Sequence, residues 1–342
     1  MSDIAHVAVH ASQFPEAVRR DLLASLRSRQ VNHKFHYDSV KQTHQWLALH
    51  QAHSPSRHDR DCARIYDRSF AAATAEIKSR RVQLIGLGCG GGQKDVRLIK
   101  KLRAGGRQVS YAPCDVSTAM VLVARQAVRG SGLTEDCHPF VCDLATAGNL
   151  ENYFSQHTTT KTRRLLTFFG MIPNFEPELI VPKLAALVRP KDLLLFSANQ
   201  APGRDYVRGM KKILPQYDNT MTREWLMTFL FDLGVERADG ALRFTIEARP
   251  PLQRVEANFI FLRAREVQVE SERIKFRAGE EIRLFFSYRY TPQLVRTTLA
   301  HHGLEVLGQW VTASGEEGVF LCRRGTVRKG LFKTPATCPA RP

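Results

Sequence analysis

The 342-residue chain is 43% hydrophobic and 24% charged, which excludes a disordered or fibrous protein and leaves room for one large domain or two smaller ones. No apolar run is long enough to span a bilayer, and the opening MSDIAHVAVHASQFPEAVRRDLL lacks an apolar signal core, so the expected location is cytoplasmic, with an arginine-bearing transit peptide as the weaker alternative. The 50 Lys+Arg and 33 Asp+Glu give a net charge of +17, but the basic residues are scattered through RRDLLASLRSR, KKLRAGGR and RRGTVRKGLFK, and no single block is dominated by basic residues interleaved with aromatics, which argues for a solvated surface over a nucleic-acid interface.

Residues 1–61 are polar, rich in His, Gln and Ser, and read as helices with loops. VQLIGLG, from Val82, is a short apolar run of the kind found in buried parallel strands. QKDVRLIKKLR follows as a helix with Val96, Ile99 and Leu102 on one face, ended by Gly105 and Gly106. RQVSYAPCD is a second strand ending in Asp115, and Ser117 caps the next helix, STAMVLVARQAV. HPFVCDL, RRLLTFFG and DLLLFSAN are further strands, with PELIVPKLAALV a helix between the last two. This alternation predicts an open, mainly parallel sheet covered by helices on both faces.

Near residue 200 the pattern changes. Two helices, RDYVRGMKKILPQYDN and TREWLMTFLFDLG, precede three β-like runs, ALRFTIEA, RVEANFIFLRARE and EIRLFFSYRY. Turns such as ARPPLQ favour antiparallel pairing, so an antiparallel insertion interrupts the α/β unit. TPQLVRTTLAHHG resumes it, with Thr291 as N-cap and Pro292 in the first turn, and LEVLGQWV and GVFLCRR close the sheet. The expected divisions are 62–199 and 288–325 for the sheet domain, 200–287 joined by 1–61 for the insertion, and 326–342 for a basic, mobile tail.

The run GLGCGGGQK at 86–94 lies where the first strand turns into a helix, and there glycines let a backbone approach a ligand closely. It lacks the spacing and hydroxyl of a P-loop and only partly fits GxGxxG. A third candidate, S-adenosylmethionine, needs a tight glycine turn, an acid after the second strand for the ribose and often another after the third for adenine. Gly88 and Gly90, then Asp115 and Asp143, supply these in order at the carboxyl ends of the strands. Either acid alone could be a turn residue. The seven cysteines form no CxxC pair, which points to reduced thiols rather than a metal site.

From KFHYDSV to GVFLCRR the chain resembles the histidine-specific, S-adenosylmethionine-dependent methyltransferases. The resemblance rests on Tyr37-Asp38, Leu87-Gly88-Cys89-Gly90 with Lys94, Asp115, Asp143, Gly170 and Asn174 in FFGMIPNFEP, Tyr217-Asp218, and FRAGEEIRLFFSYRY with Ser287. It implies an α/β fold, a Rossmann-like class I methyltransferase sheet with an inserted α+β substrate domain. It also implies S-adenosyl-L-methionine as cofactor, held by Gly88, Gly90, Lys94, Asp115, Asp143 and Gly170. Gly170 lies in the loop that, with Tyr37, Asn174 and Tyr217, would face an amino acid's α-amino and carboxylate groups; Tyr37 and Asn174 would stand at the reacting amine, and Ser287 beside the substrate.

The departures are specific. Phe285 stands two residues before Ser287, where the family has an acid that accepts a hydrogen bond from imidazole, and a phenyl ring cannot accept it. Ala257 replaces a methionine of the same pocket. His53-Ser54 stands for a tyrosine pair, and Gly86 for the acid usually found before the glycine turn. The expected enzyme is therefore an N-methyltransferase acting on the α-amino group of an amino acid or amino-acid-derived small molecule with an aromatic or apolar side chain. It is expected to be a monomer without membrane association. Histidine itself, an RNA or protein acceptor drawn to the basic surface, and a binding module without activity are the alternatives.

Overall fold

The computed structural model describes residues 4–134, 136–159 and 161–325, so the expected basic tail at 326–342 lies outside the described residues. The chain runs β1 (Ala8–Val9), α1 (Pro15–Ser28), α2 (Val40–His53), α3 (Pro55–His58), α4 (Arg60–Glu76), β2 (Arg81–Leu87), α5 (Gln93–Ala104), β3 (Gln108–Asp115), α6 (Thr118–Gly130), β4 (Phe140–Val141), α7 (Leu150–Gln156), β5 (Thr162–Phe169), α8 (Pro177–Leu187) and β6 (Leu193–Asn199). It continues as α9 (Tyr206–Tyr217), α10 (Thr220–Asp232), β7 (Gly240–Arg249), β8 (Leu252–Phe261), β9 (Arg265–Val269), β10 (Glu272–Phe276), β11 (Glu281–Arg289), α11 (Pro292–His301), β12 (Leu304–Val311) and β13 (Glu317–Arg324). No described helix is long and apolar enough to cross a membrane.

Among the described residues, eight strands form one sheet in the order β1-β4-β3-β2-β5-β6-β13-β12. Pairing is parallel from β1 to β6 and antiparallel at β6–β13 and β13–β12. The central strands are apolar throughout because helices cover both faces: Val82, Leu84, Ile85 and Leu87 of β2 are all buried. Ser117 caps α6 by accepting from the Met120 amide, and Thr291 caps α11 by accepting from Leu294. The chain leaves β2 toward β3 on one side and returns to β5 on the other. The carboxyl ends of β2 and β5 thus frame the crevice where a doubly wound sheet takes its ligand.

After β6 come α9, α10 and a separate three-stranded antiparallel sheet, β11-β8-β7, whose last strand in the chain, β11, runs to Arg289, past the expected division at 287. Their core joins Trp225, Leu226, Phe229, Val255 and Phe259 to Leu26, Val31 and Phe35 from the N-terminal segment. Two features differ from the sequence reading. The N-terminal segment also contributes β1 to the edge of the large sheet, where Ala8 pairs with Phe140. The run RVEANFIFLRARE is not one strand. β8 ends at Phe261, and Arg265 opens a β9–β10 hairpin that the sequence reading did not separate.

Arg254 on β8 fastens the insertion to the loop that follows β5. Its side chain is 1% exposed and donates to Glu247 Oε2 at 2.7 Å and Glu176 Oε1 at 2.8 Å, with Glu256 Oε1 also at 2.7 Å. Tyr288 donates to the other Glu176 oxygen at 2.6 Å. Removing the guanidinium leaves three carboxylates facing one another, although Glu176 and Glu247 can partly hydrate. Arg254→Met should therefore lower the unfolding free energy by about 3 kcal/mol, toward the low end for a stripped buried pair. Chemical denaturation checks this, with Arg254→Lys expected to fall between the two.

Candidate active site

A cavity of about 370 Å³ opens at the carboxyl ends of β2, β3 and β5 and is roofed by the N-terminal segment. The glycine turn forms its floor. Gly88, Gly90 and Gly92 have φ of 62°, 50° and 74°, backbone conformations that side chains with a Cβ rarely adopt. A Cβ on Gly88 would lie 2.5 Å from Met171, and one on Gly92 would lie 2.9 Å from the Ala124 backbone in α6. Asp115 locks the turn: its Oδ2 accepts from the Gly90 amide at 3.1 Å and its Oδ1 from the Ser117 amide at 3.1 Å. Burial pushes the Asp115 carboxyl up, and those backbone donors partly offset the shift.

Asp143 lies across the cavity beside Cys142 and Leu144. Its Oδ1 accepts from the Ala145 amide at 2.8 Å, and its own amide donates to Ser12 at 3.0 Å. Its Oδ2 is buried with no hydrogen-bond partner, while Lys34 Nζ stands 3.7 Å away and donates instead to Asp21 at 2.6 Å. A buried acceptor left open on a cavity wall fits a ligand that brings a donor, such as the exocyclic amine of adenine.

The other end is charged. Lys94 Nζ lies 4.5 Å from the Tyr66 ring centroid and 5.7 Å from that of Phe169. Tyr66 donates to Glu317, and Cys62 also donates to it at 3.3 Å. Trp46 stacks on His50 with centroids 4.9 Å apart. Burial, with Lys94 and Arg57 nearby, lowers His50 to about 3, so its ring is neutral. Asp95, Glu317, Trp46, His50 and His33 all line the cavity and were not read from the sequence.

Of the expected substrate residues, Tyr37 and Asn174 line the cavity with Gly170; Tyr217, Ala257, Phe285 and Ser287 are not among its lining residues. His33 stands between the two groups. Its Nε2 is 3.0 Å from Tyr37 Oη, and its ring centroid is 5.5 Å from Phe285. Phe285 in turn contacts Tyr217 at 6.1 Å and Trp225 at 5.8 Å. Ala257 is fully buried opposite Phe285 in the β8–β11 pairing, inside the insertion core. Tyr217 donates to Ser287 Oγ at 2.8 Å and accepts from Arg289 at 2.7 Å.

Asn174 Nδ2 donates to the Phe286 carbonyl at 2.9 Å. A carbonyl only accepts, so the amide orientation is settled and Asn174 Oδ1 is left as an acceptor. Burial, reinforced by the Asp115 charge, raises the Tyr37 phenol far above its usual range, so it stays protonated. Burial and the neighbouring His36 lower His33 to about 3, which leaves it neutral as well.

Comparison with known proteins adds the following. A family profile described as "Histidine-specific methyltransferase, SAM-dependent" matches residues 16–324. The chain is 25% identical over 328 residues to a histidine N-alpha-methyltransferase of Mycobacterium tuberculosis (strain CDC 1551 / Oshkosh), covering 90% of this chain and 95% of that protein. It is also 25% identical over 252 residues to the N-methyltransferase imqF of Aspergillus flavus, covering 69% of this chain and 66% of that one. Among solved structures, it is similar to an S-adenosylmethionine-dependent methyltransferase from Clostridium acetobutylicum ATCC 824, with 13% identity, TM-score 0.46, and coverage of 83% and 99% of the two chains.

The floor of the cavity yields a stability test. Gly92→Ala combines a left-handed backbone with a contact against the α6 backbone that cannot rotate away. Thermal unfolding should report a loss of about 2 kcal/mol or more. Gly130→Ala, where nothing lies within 4 Å of the added Cβ, should be neutral or stabilising.

Proposed function

The chain belongs to the histidine-specific, S-adenosylmethionine-dependent methyltransferases, and on that premise we propose that it methylates the α-amino group of an amino acid or amino-acid-derived small molecule whose side chain is aromatic or apolar rather than imidazole. S-adenosylmethionine supplies an electrophilic methyl group carried on a sulfonium. Gly88, Gly90, Lys94, Asp115, Asp143 and Gly170 would hold it. The open acceptor on Asp143 and the turn locked by Asp115 support that placement.

The observation that carries the amine reading is the orientation of Asn174. Its amide nitrogen is committed to the Phe286 carbonyl, so the atom left for a ligand is an acceptor. Tyr37 adds a second neutral oxygen, within 3.0 Å of a neutral His33. Acceptors without charge suit N–H donors and would direct the amine lone pair by position alone. The side-chain reading rests on Phe285, which offers an imidazole no acceptor. Its own neighbours are His33, which lines the cavity, and Tyr217 and Trp225 packed behind, aromatic surroundings suited to another ring. Losing an acid from that position disfavours a polar side chain by about 1–3 kcal/mol. The similarity to histidine N-alpha-methyltransferases keeps histidine as the second reading.

Calorimetry with S-adenosylhomocysteine and a panel of amino acids separates the two. Tryptophan, phenylalanine or tyrosine should bind more tightly than histidine. Histidine binding far tighter than every aromatic amino acid would overturn the side-chain reading and leave the amine reading standing. Mass spectrometry of the turnover mixtures would then count the methyl groups added.

The amine must be uncharged to react, and the groups proposed to face it are not bases near neutrality: burial lowers His33 to about 3 and keeps the Tyr37 phenol protonated, and His50 is likewise lowered to about 3. Between pH 7 and the acceptor's own amine pKa, kcat/KM should therefore rise about tenfold per unit, following the fraction of free amine, and then level off. A plateau starting at one fixed pH for acceptors of different basicity would show that an enzyme base is present instead.

A further inference from the structure

Gly86, in β2, stands where the sequence comparison expected an acid before the glycine turn. The structure accounts for its lack of a side chain. A Cβ at position 86 would lie 2.3 Å from Asp95 Oδ2 and 3.3 Å from Asp95 Cγ. The space is filled by a carboxylate that arrives from the first turn of α5. Asp95 is 2% exposed, and hydroxyls from the strands on either side of β2 hold it: Tyr111 of β3 donates to Oδ2 at 2.7 Å and Thr167 of β5 to Oδ1 at 2.9 Å. In the sheet, Thr167 is the register partner of Gly86 itself.

This buried acid has no cation within ion-pair distance among the described residues; the nearest positive charge that acts on it, Lys94, only partly offsets its burial and lies instead over the rings of Tyr66 and Phe169. Two hydroxyls satisfy only half of the carboxylate's acceptor capacity. Burial alone would drive such a group toward its neutral form, and it is indeed raised to about 6. The group also lines the cavity beside Gly88 and Gly90. A buried negative charge at a ligand site is stabilised when the ligand brings the positive one.

We infer that Asp95 is the acid this chain presents to the α-ammonium of the methionyl tail, with Gly86 kept small to admit it. The inference rests on the placement of S-adenosylmethionine argued above. Asp95 acts by binding and orienting the tail; no proton or electron transfer is assigned to it.

Two ligands separate this role from a purely structural one. S-adenosylhomocysteine keeps the cofactor's α-ammonium on its homocysteinyl tail, whereas 5′-methylthioadenosine has the same nucleoside and a thioether without the amino-acid tail. Calorimetry on the full chain should find that Asp95→Asn weakens S-adenosylhomocysteine about tenfold or more and 5′-methylthioadenosine by less than about twofold. Asp95→Ser should behave alike, and the double substitution Gly86→Asp with Asp95→Ser, which places the acid on the strand, should recover most of the lost affinity. Equal weakening of both ligands by Asp95→Asn, or of neither, would overturn the role. So would a folded double variant no better than Asp95→Ser; if the double variant does not fold, the ligand comparison on Asp95→Asn, an isosteric change, decides alone. Wild-type protein that binds neither ligand would instead overturn the placement of the cofactor on which the inference stands.

Discussion

The two hydrogen bonds that Asp115 accepts, from Gly90 and from Ser117, hold three parts of the chain in one arrangement. Asp115 ends β3, Gly90 belongs to the turn after β2, and Ser117 caps α6. Ser117 Oγ in turn lies 2.9 Å from Thr43 Oγ1 on α2, the helix that carries Trp46 and His50 to the cavity. Charged acceptors on backbone donors are among the stronger hydrogen bonds, about 1.5–3 kcal/mol each. The cost is a carboxylate buried at the sheet end, which a nearby anion would make worse. Phosphate-binding turns leave their amides free for the ligand, whereas here Asp115 has already engaged the Gly90 amide. That is a physical reason for the turn to suit a cationic tail rather than a phosphate.

The insertion is bound to the sheet at the place where the substrate side of the cavity forms. The Tyr290 amide donates to Asn199 O and Ala201 to Tyr290 O, so β11 runs directly into the end of β6. Asn174 holds the Phe286 carbonyl from the other side, and Glu176, two residues on, joins Tyr288 and Arg254. The loop after β5 is therefore shaped jointly by both units. A change in β11 reaches Asn174 through the backbone at 286, so the proposed side-chain wall cannot vary independently of the residues proposed to face the amine.

The large-scale order was legible because it is periodic. Buried strands alternate with amphipathic helices, and glycines and caps mark the joints at Gly88, Ser117 and Thr291. That the glycine turn, Asp115 and Asp143 meet at one cavity was legible because they fall in chain order at successive strand ends. What escaped has no local signal. A two-residue strand at Ala8–Val9 has no period, and the break after Phe261 lacks glycine or proline, while the following hairpin turns through Glu270 at φ 52°. His33 looked like one histidine among several, because its partner Phe285 lies far along the chain. Gly86 looked like a missing strand acid, and nothing marked Asp95 until packing of α5 on β2 brought its carboxylate over Gly86.

The cavity divides by charge. Asp95, Asp115, Asp143, Glu317 and Lys94 gather where the cofactor is proposed to lie, while Tyr37, Asn174 and a neutral His33 face the proposed amine. Phe285 continues the neutral half inward; beyond it Arg289 is already engaged by Tyr217 and, at 3.4 Å, by the Gln200 carbonyl. This division fits the chemistry. When a methyl group passes from a cation to a neutral amine, the total charge does not change and is more dispersed midway than at either end. A fixed carboxylate at the amine would hold the ammonium form and oppose the loss of its proton, whereas neutral acceptors bind the free amine without that penalty. On the proposed reading, with the amine end kept uncharged, the choice of acceptor falls to His33 and to Phe285 packed behind it, where discrimination would come from shape and from which polar groups a side chain would leave unpaired.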